Sequence, residues 1–199
     1  MASFTAKDVQ ELRQRTGAGM MDCKKALDET DGNIDKAIEN LRKRGAAKAE
    51  KRAGRSTSEG IIGHYVHHNG KLAVLVELNC ETDFVARTDD FKDLAKHVAE
   101  HVAASAPLAV DESGIPEETL ASERRIAEEQ TRLAGKPEAM IEKIVAGKVQ
   151  AFLKDVTLMN QPWVREPSKT IGELVKEVSG KTGENIQVKR FVRYQLGEA

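Results

Sequence analysis

The sequence predicts an α+β fold: a small N-terminal three-helix module, then a three-stranded antiparallel sheet with packed helices and a protruding helical hairpin. Three observations predict it. Two apolar runs, 61–66 and 72–79, flank Asn69-Gly70, the strongest short signal for a β-hairpin. A third such run lies at 186–196. Elsewhere apolar residues recur three and four apart, the helical period. With 199 residues, 40% hydrophobic and 32% charged, the chain is long enough to bury a real core in one or two domains.

The first 45 residues carry the helical module. Thr5 and Asp8 form a capping-box pattern, and Val9, Leu12 and Thr16 follow at helical spacing. Gly17-Ala18-Gly19 interrupts, a second helix covers 20–29, and Asp31-Gly32 turns the chain. Asn33 is the expected cap of a third helix bearing Ile34, Ala37, Ile38 and Leu41, which Gly45 should stop. Residues 46–59 read as a basic linker without an apolar stripe. The α+β core domain is expected over 60–199. In its second strand Leu72, Val74, Val76 and Leu78 share one parity, and Ala73 and Leu75 occupy the other. That pattern predicts a central strand buried on both faces. In the last strand Phe191 breaks the even-numbered apolar parity, so either a bulge falls near Arg190 or both faces are partly buried.

Asp90 should cap a helix with Phe91, Leu94, Ala95, Val98 and Val102 on one face. Helices at 117–133 and 138–153 meet at Gly135-Lys136-Pro137 in a hairpin inserted over about 117–154. Its apolar positions Leu120, Ile126 and Leu133 are sparse, which predicts a narrow seam. An extended stretch, Gln161-Pro162-Trp163-Val164, precedes a last helix carrying Ile171, Leu174, Val175 and Val178 and capped by Ser168 or Thr170.

Composition narrows the function. The net charge of -1 supplies no global attraction to nucleic acid or membrane. Two cysteines, Cys23 and Cys80, are too few for a disulfide framework. Neither a signal-peptide pattern nor an apolar run of the ~20 residues needed to span a bilayer occurs, so the cytoplasm is expected. No nucleophile elbow, phosphate loop or dinucleotide fingerprint is present, so no cofactor is expected. His97 and His101 lie four apart on a helix, and His64, His67, His68 and Cys80 cluster about a hairpin. Neither set has a third-ligand signature, and both read as structural or contact residues rather than a metal site.

What remains points to protein binding. Thr82-Asp83-Phe84-Val85-Ala86-Arg87 follows a core strand and delivers an acid and a ring to the surface of a chain with only 4% aromatics. Thr82 is placed to cap a short helical turn. Met20, Cys23 and Leu27 share a face and should be core, whereas Met21 projects elsewhere beside Lys24 and Lys25. On pattern alone, Phe84 and both methionines are equally readable as core.

Thr16-Gly17-Ala18-Gly19-Met20-Met21-Asp22-Cys23-Lys24-Lys25-Ala26-Leu27, together with Asn79-Cys80-Glu81-Thr82-Asp83-Phe84-Val85-Ala86-Arg87, resembles the bacterial translation elongation factor Ts family. Gln161-Pro162-Trp163-Val164 with 166–170, and the closing stretch 191–198, look like further signatures of it, in order along nearly the whole chain. The resemblance implies a guanine nucleotide exchange factor for elongation factor Tu (EF-Tu), not an enzyme. It implies a ubiquitin-associated-like N-terminal domain that docks on the GTPase domain of EF-Tu, with contact to a second EF-Tu domain. Carried over, Thr82, Asp83, Phe84 and Val85 match the segment that dislodges Mg²⁺, with Phe84 as wedge. Met20, Met21 and Lys24, with Ala86 and Arg87, match docking positions. Long family members carry two related core subdomains. This chain has room for one, which implies a homodimer through the exposed sheet face. Two readings from other classes stand beside this one: an adaptor binding RNA through the basic linker, and a zinc hydrolase using the histidines.

Overall fold

The computed structural model describes residues 4–198. The outermost residues of the two expected domains, 1–3 and 199, lie outside them. The fold is α+β. In chain order it runs α1 (Ala6–Thr16), α2 (Met20–Glu29), α3 (Ile34–Arg52), β1 (Glu59–Val66), β2 (Leu72–Cys80), α4 (Asp83–Ala86) and α5 (Asp89–Ser105). It continues with α6 (Glu117–Leu133), α7 (Glu138–Val156), β3 (Pro162–Trp163), β4 (Glu166–Thr170), α8 (Ile171–Thr182) and β5 (Gln187–Gln195). Contacts divide the chain into two compact units. One comprises Met1–Ile61, Leu78–Leu94 and Glu173–Gln187; the other comprises Ile62–Glu77, Ala95–Gly172 and Val188–Ala199.

In the first unit α1, α2 and α3 enclose a mini-core of Val9, Leu12, Cys23, Ala26, Leu27, Ala37 and Leu41, backed by Phe4, Ala18, Ile34 and Ile38. This three-helix make-up is consistent with the ubiquitin-associated-like expectation. Both sides of the capping box form: the Asp8 N–H donates to the Thr5 hydroxyl oxygen at 3.4 Å and the Thr5 N–H donates to the Asp8 carboxylate at 2.7 Å. The Thr5 N–H, together with the Thr5 hydroxyl donating to the same carboxylate oxygen at 2.8 Å, holds the Asp8 carboxyl below the usual carboxylate range. Asn33 caps α3 by accepting the Lys36 N–H.

Gly45 does not end α3, which continues to Arg52 and buries Ala49. The reason is tertiary. A Cβ on Gly180 of α8 would sit 3.2 Å from the Gly45 Cα, so the two glycines let α3 and α8 cross closely. The cost of glycine in a helix, about 1 kcal/mol, is offset by that approach. The segment expected as a linker is therefore helix over its first half. Several cations in and just before it are engaged: Lys43 with Glu39, Arg44 with Glu29, Lys48 with Asp22, Arg55 with Glu81, and Arg52 with the Ser179 carbonyl.

The sheet order is β1-β2-β5. The Leu196 N–H donates to the Lys71 carbonyl at 2.8 Å, so the end of β5 lies beside the start of β2 and the pair is antiparallel. The β1–β2 connection is longer than the two-residue type I′ turn that an Asn-Gly pair favours. Gly70 N–H bonds the His67 carbonyl at 2.8 Å, which centres the turn on His68 and Asn69, and only then does Gly70 take a left-handed conformation with φ 68°. Asn69 keeps ordinary φ and its side chain accepts the Lys71 N–H instead. This is a loop built on a β-turn with a left-handed glycine after it, not a type I′ turn.

β2 is central, as expected, but only one face is covered. Val74, Val76, Leu78 and Cys80 are buried while Leu75 is 48% exposed. In β5 the more buried parity changes from even at Val188 to odd at Phe191, Arg193 and Gln195, the switch a bulge near Arg190 would produce.

In the second unit α6 and α7 form a hairpin with its own cluster of Ala109, Ile115, Ala127, Ile141, Val145, Val149 and Leu153. The seam differs from the one read in the sequence. On α6 it uses Ala127 and Thr131, with Leu120 partly buried, whereas Ile126 and Leu133 are exposed. Small residues on α6 let the branched side chains of α7 fill the gap. The stretch at 162–170 is not merely extended: β3 and β4 pair antiparallel, Pro162 opposite Thr170.

Candidate partner-binding site

β2 ends at Cys80, and the chain turns at once into α4. Thr82 is extended (φ -130°, ψ 155°) and its side chain accepts the Val85 N–H at 3.4 Å, the geometry of an N-cap. A four-residue helix has no stability of its own. Here tertiary bonds determine it. The Glu184 carboxylate accepts the N–H groups of Glu81 and Thr82, each at 3.0 Å, and the Thr82 hydroxyl at 2.6 Å. The Cys80 thiol donates to the Thr82 carbonyl at 3.1 Å. Burial, with the Glu184 charge adding to it, pushes that thiol up to about 11, so it is a protonated donor at neutral pH rather than a reactive thiolate.

The turn sorts its side chains sharply. Val85 and Ala86 are 9% and 5% exposed and anchor the turn from below. Phe84 between them and Thr82 is 77% exposed. The ring is thus left open on a backbone that tertiary hydrogen bonds hold in place. Asp83 pairs with Arg87 at 2.7 Å; both are well exposed, so the pair contributes little and opens readily.

Further along the same compact unit, Met21 is 76% and Met20 45% exposed, at the start of α2. Met20 thus leaves the core face predicted for it, because Gly19 precedes the first helical turn and the mini-core is already closed by Cys23 and Leu27. Lys24 is exposed one turn on.

A sequence profile described as "Elongation factor TS" matches residues 1–198. The chain is 54% identical to elongation factor Ts of Fervidobacterium nodosum over 195 residues, 98% of this chain and 99% of that one. It is 53% identical to that of Thermosipho melanesiensis over 195 residues, 98% of this chain and 100% of the relative. With that of Nitratidesulfovibrio vulgaris it shares 50% over 195 residues, 98% of each. The chain belongs to the elongation factor Ts family.

Within this chain, Met20, Met21, Lys24, Thr82, Asp83, Phe84 and Arg87 are at least partly open, while Val85 and Ala86 face inward. Sequence reasoning missed Glu184, Glu81 and Asn185, which hold the turn in place. For Glu184 and Asn185 the only signal was polarity just before β5, and nothing local ties that to residue 82; Glu81 stands in the 79–87 motif, where no role was read for it.

The histidines are accounted for differently. His101 is fully buried; it shares a 3.0 Å hydrogen bond with Gln161 Oε1, and its Nδ1 accepts the Val164 N–H at 3.3 Å. Desolvation lowers its pKa, outweighing the Gln161 bond. His97 packs against Trp163, ring centroids 5.2 Å apart. His67 bonds Tyr65 through Nδ1 at 2.8 Å and lies tilted against His68, ring centroids 4.2 Å apart. Among the described residues no group of three His, Cys, Asp or Glu side chains is arranged to hold a metal ion. No helix among them is long and apolar enough to cross a membrane.

Proposed function

We propose that this protein is a guanine nucleotide exchange factor for EF-Tu in translation elongation, acting by binding alone and making no covalent bond. The observation that carries the reading is Phe84, 77% exposed on a turn that tertiary hydrogen bonds hold rigid. Family membership supplies the partner.

A GTPase holds GDP through its phosphate loop and Mg²⁺. On docking, Phe84 enters between packed elements of the EF-Tu GTPase domain and shifts the loops that hold Mg²⁺. Asp83, released from Arg87, offers a carboxylate in the same region. Thr82 caps and braces the turn, and Val85 seats it. Ala86, expected in docking too, is buried and seats the turn beside Val85, whereas Met20, Met21, Lys24 and Arg87, all exposed, supply docking. Methionine suits that task because its flexible thioether adapts to a surface. Exchange is then a coupling between sites: whatever factor weakens GDP also weakens this protein in the presence of GDP. A coupling of ~4 kcal/mol would be roughly a thousandfold. GTP binding completes the cycle by displacing the factor from the nucleotide-free state.

The three-stranded sheet leaves Ile62, Val66, Leu75 and Tyr194 exposed, all in the second unit. We assign this face to a homodimer contact. Sedimentation should show a dimer at micromolar concentration, and Leu75→Glu should convert it to monomer; a wild-type monomer, alone and with EF-Tu, would remove the assignment.

The direct test is stopped-flow release of fluorescent GDP from EF-Tu. Release should accelerate in proportion to added protein and then saturate. Release that stays at its spontaneous rate would contradict the function.

A further inference from the structure

We infer that Glu184, backed by Asn185, is a positioning residue for exchange: it aims Phe84 by holding Thr82, and it ties that aim to the end of the N-terminal helical module. The inference rests on the wedge reading above.

The geometry is a two-way clamp at the α8–β5 junction. Glu184 presents two carboxylate oxygens to three donors of the 81–82 backbone and side chain. In return the Glu81 carboxylate accepts the Asn185 N–H at 2.7 Å and lies 3.4 Å from the Arg55 guanidinium. The Asn185 side chain is 4% exposed, and its amide donates to the carbonyls of Ala53 at 3.2 Å and Arg55 at 2.8 Å. Ala53 is the residue that ends α3. One dipeptide therefore fastens the wedge turn on one side and the exit of the helical module on the other.

The chemistry suits aiming rather than mere stability. A helical turn of four residues takes its direction from what holds its first residue. Bonds to an ionised acceptor are shorter, stronger and more directional than neutral ones. A carboxylate is the smallest side chain that accepts from an adjacent pair of N–H groups with one oxygen and a hydroxyl with the other. Thr82 Oγ1 donates to Glu184 and accepts from Val85, so the aim passes through one atom into the helix that carries Phe84. The wedge and the docking methionines lie in one compact unit, and the clamp joins all three of its segments.

The test uses the full-length protein with EF-Tu and fluorescent GDP, reading the maximal release rate at saturating factor separately from the half-saturating concentration. Glu184→Ala should lower the maximal rate about tenfold, a modest misaiming. The half-saturating concentration should stay within about twofold, the mark of an interaction used in the step and not in docking. Glu184→Gln keeps an oxygen for the two N–H groups and should recover most of the rate. In a Phe84→Ala background, Glu184→Ala should change nothing further, because there is no ring left to aim. Additive losses in that background, or a raised half-saturating concentration at full maximal rate, would overturn the inference. If Glu184→Ala fails to fold, Glu184→Asp, one methylene short, is read in the same two backgrounds by the same criteria. A Phe84→Ala protein at full rate would sink the wedge reading itself. A slow Phe84→Ala beside a full-rate Glu184→Ala would sink only the positioning role.

Discussion

The turn at α4 and the hairpin of α6 and α7 both expose apolar side chains, and they are held by different forces. α4 has four residues and one open ring, Phe84. Its place is set by hydrogen bonds to Glu184 and Cys80 and by two small anchors beneath. The hairpin has 17 and 19 residues in its helices and exposes Leu133 and Met140 toward its tip. A non-directional apolar seam holds it, with Lys148–Gln130 and Arg132–Glu138 bonds along the edge. Apolar area gives stability and tolerates small shifts. Directional polar bonds give aim. A part that, as proposed above, pushes on another protein at one spot needs the second kind.

The largest expected effect breaks the hairpin without touching the turn. Val145→Asp puts an unpaired carboxylate into the seam and should cost about 3 kcal/mol or more locally. Amide hydrogen exchange should show α6 and α7 deprotected while α1–α3 and α4 keep their protection. GDP release should stay near the wild-type rate, and its collapse would show that the hairpin takes part in exchange.

Met21→Ala comes next and separates docking from wedging. With Met21 76% exposed, melting should be unchanged, while affinity for EF-Tu falls by about 1 kcal/mol, roughly fivefold. An unchanged dissociation constant would remove Met21 from the interface.

The smallest effect is a pH dependence confined to the second unit. Burial depresses the His101 pKa below its ordinary 6.5. Below that value the unfolded chain takes up the proton first, so the His101 contribution is complete above pH 6.5 and is lost as pH falls toward the folded-state value. Urea midpoints compared at pH 8 and pH 5 should drop, and His101→Gln should drop less. An equal drop in both would place the titration elsewhere.

Much of this was legible in the sequence because local chemistry decided it. Thr5 with Asp8, Asn33, the bounds of α2 and α6, and Thr82 as a cap all follow from side chains acting on their own backbone. The misreadings share a cause. Gly45 looked like a stop because its partner, Gly180, is 135 residues away. Asp90 looked like the cap of α5, but Thr88 accepts the Phe91 N–H at 3.4 Å and the helix starts at Asp89. Leu75 was placed in a second core face, and Met20 in the mini-core, yet both are exposed. Periodicity shows that a face is apolar and is silent on what covers it. For the site, the exposed Phe84 was readable as a motif, whereas the Glu184 bonds that fix it cross more than 100 residues and left no local trace.

The central claim is that the rigid turn acts through Phe84. The most direct measurement is the maximal rate of fluorescent GDP release from EF-Tu at saturating Phe84→Ala protein, beside its dissociation constant for nucleotide-free EF-Tu. The rate should fall by about a hundredfold, near 2.7 kcal/mol, with affinity reduced far less and the fold unchanged. A wild-type maximal rate under saturation would contradict the account.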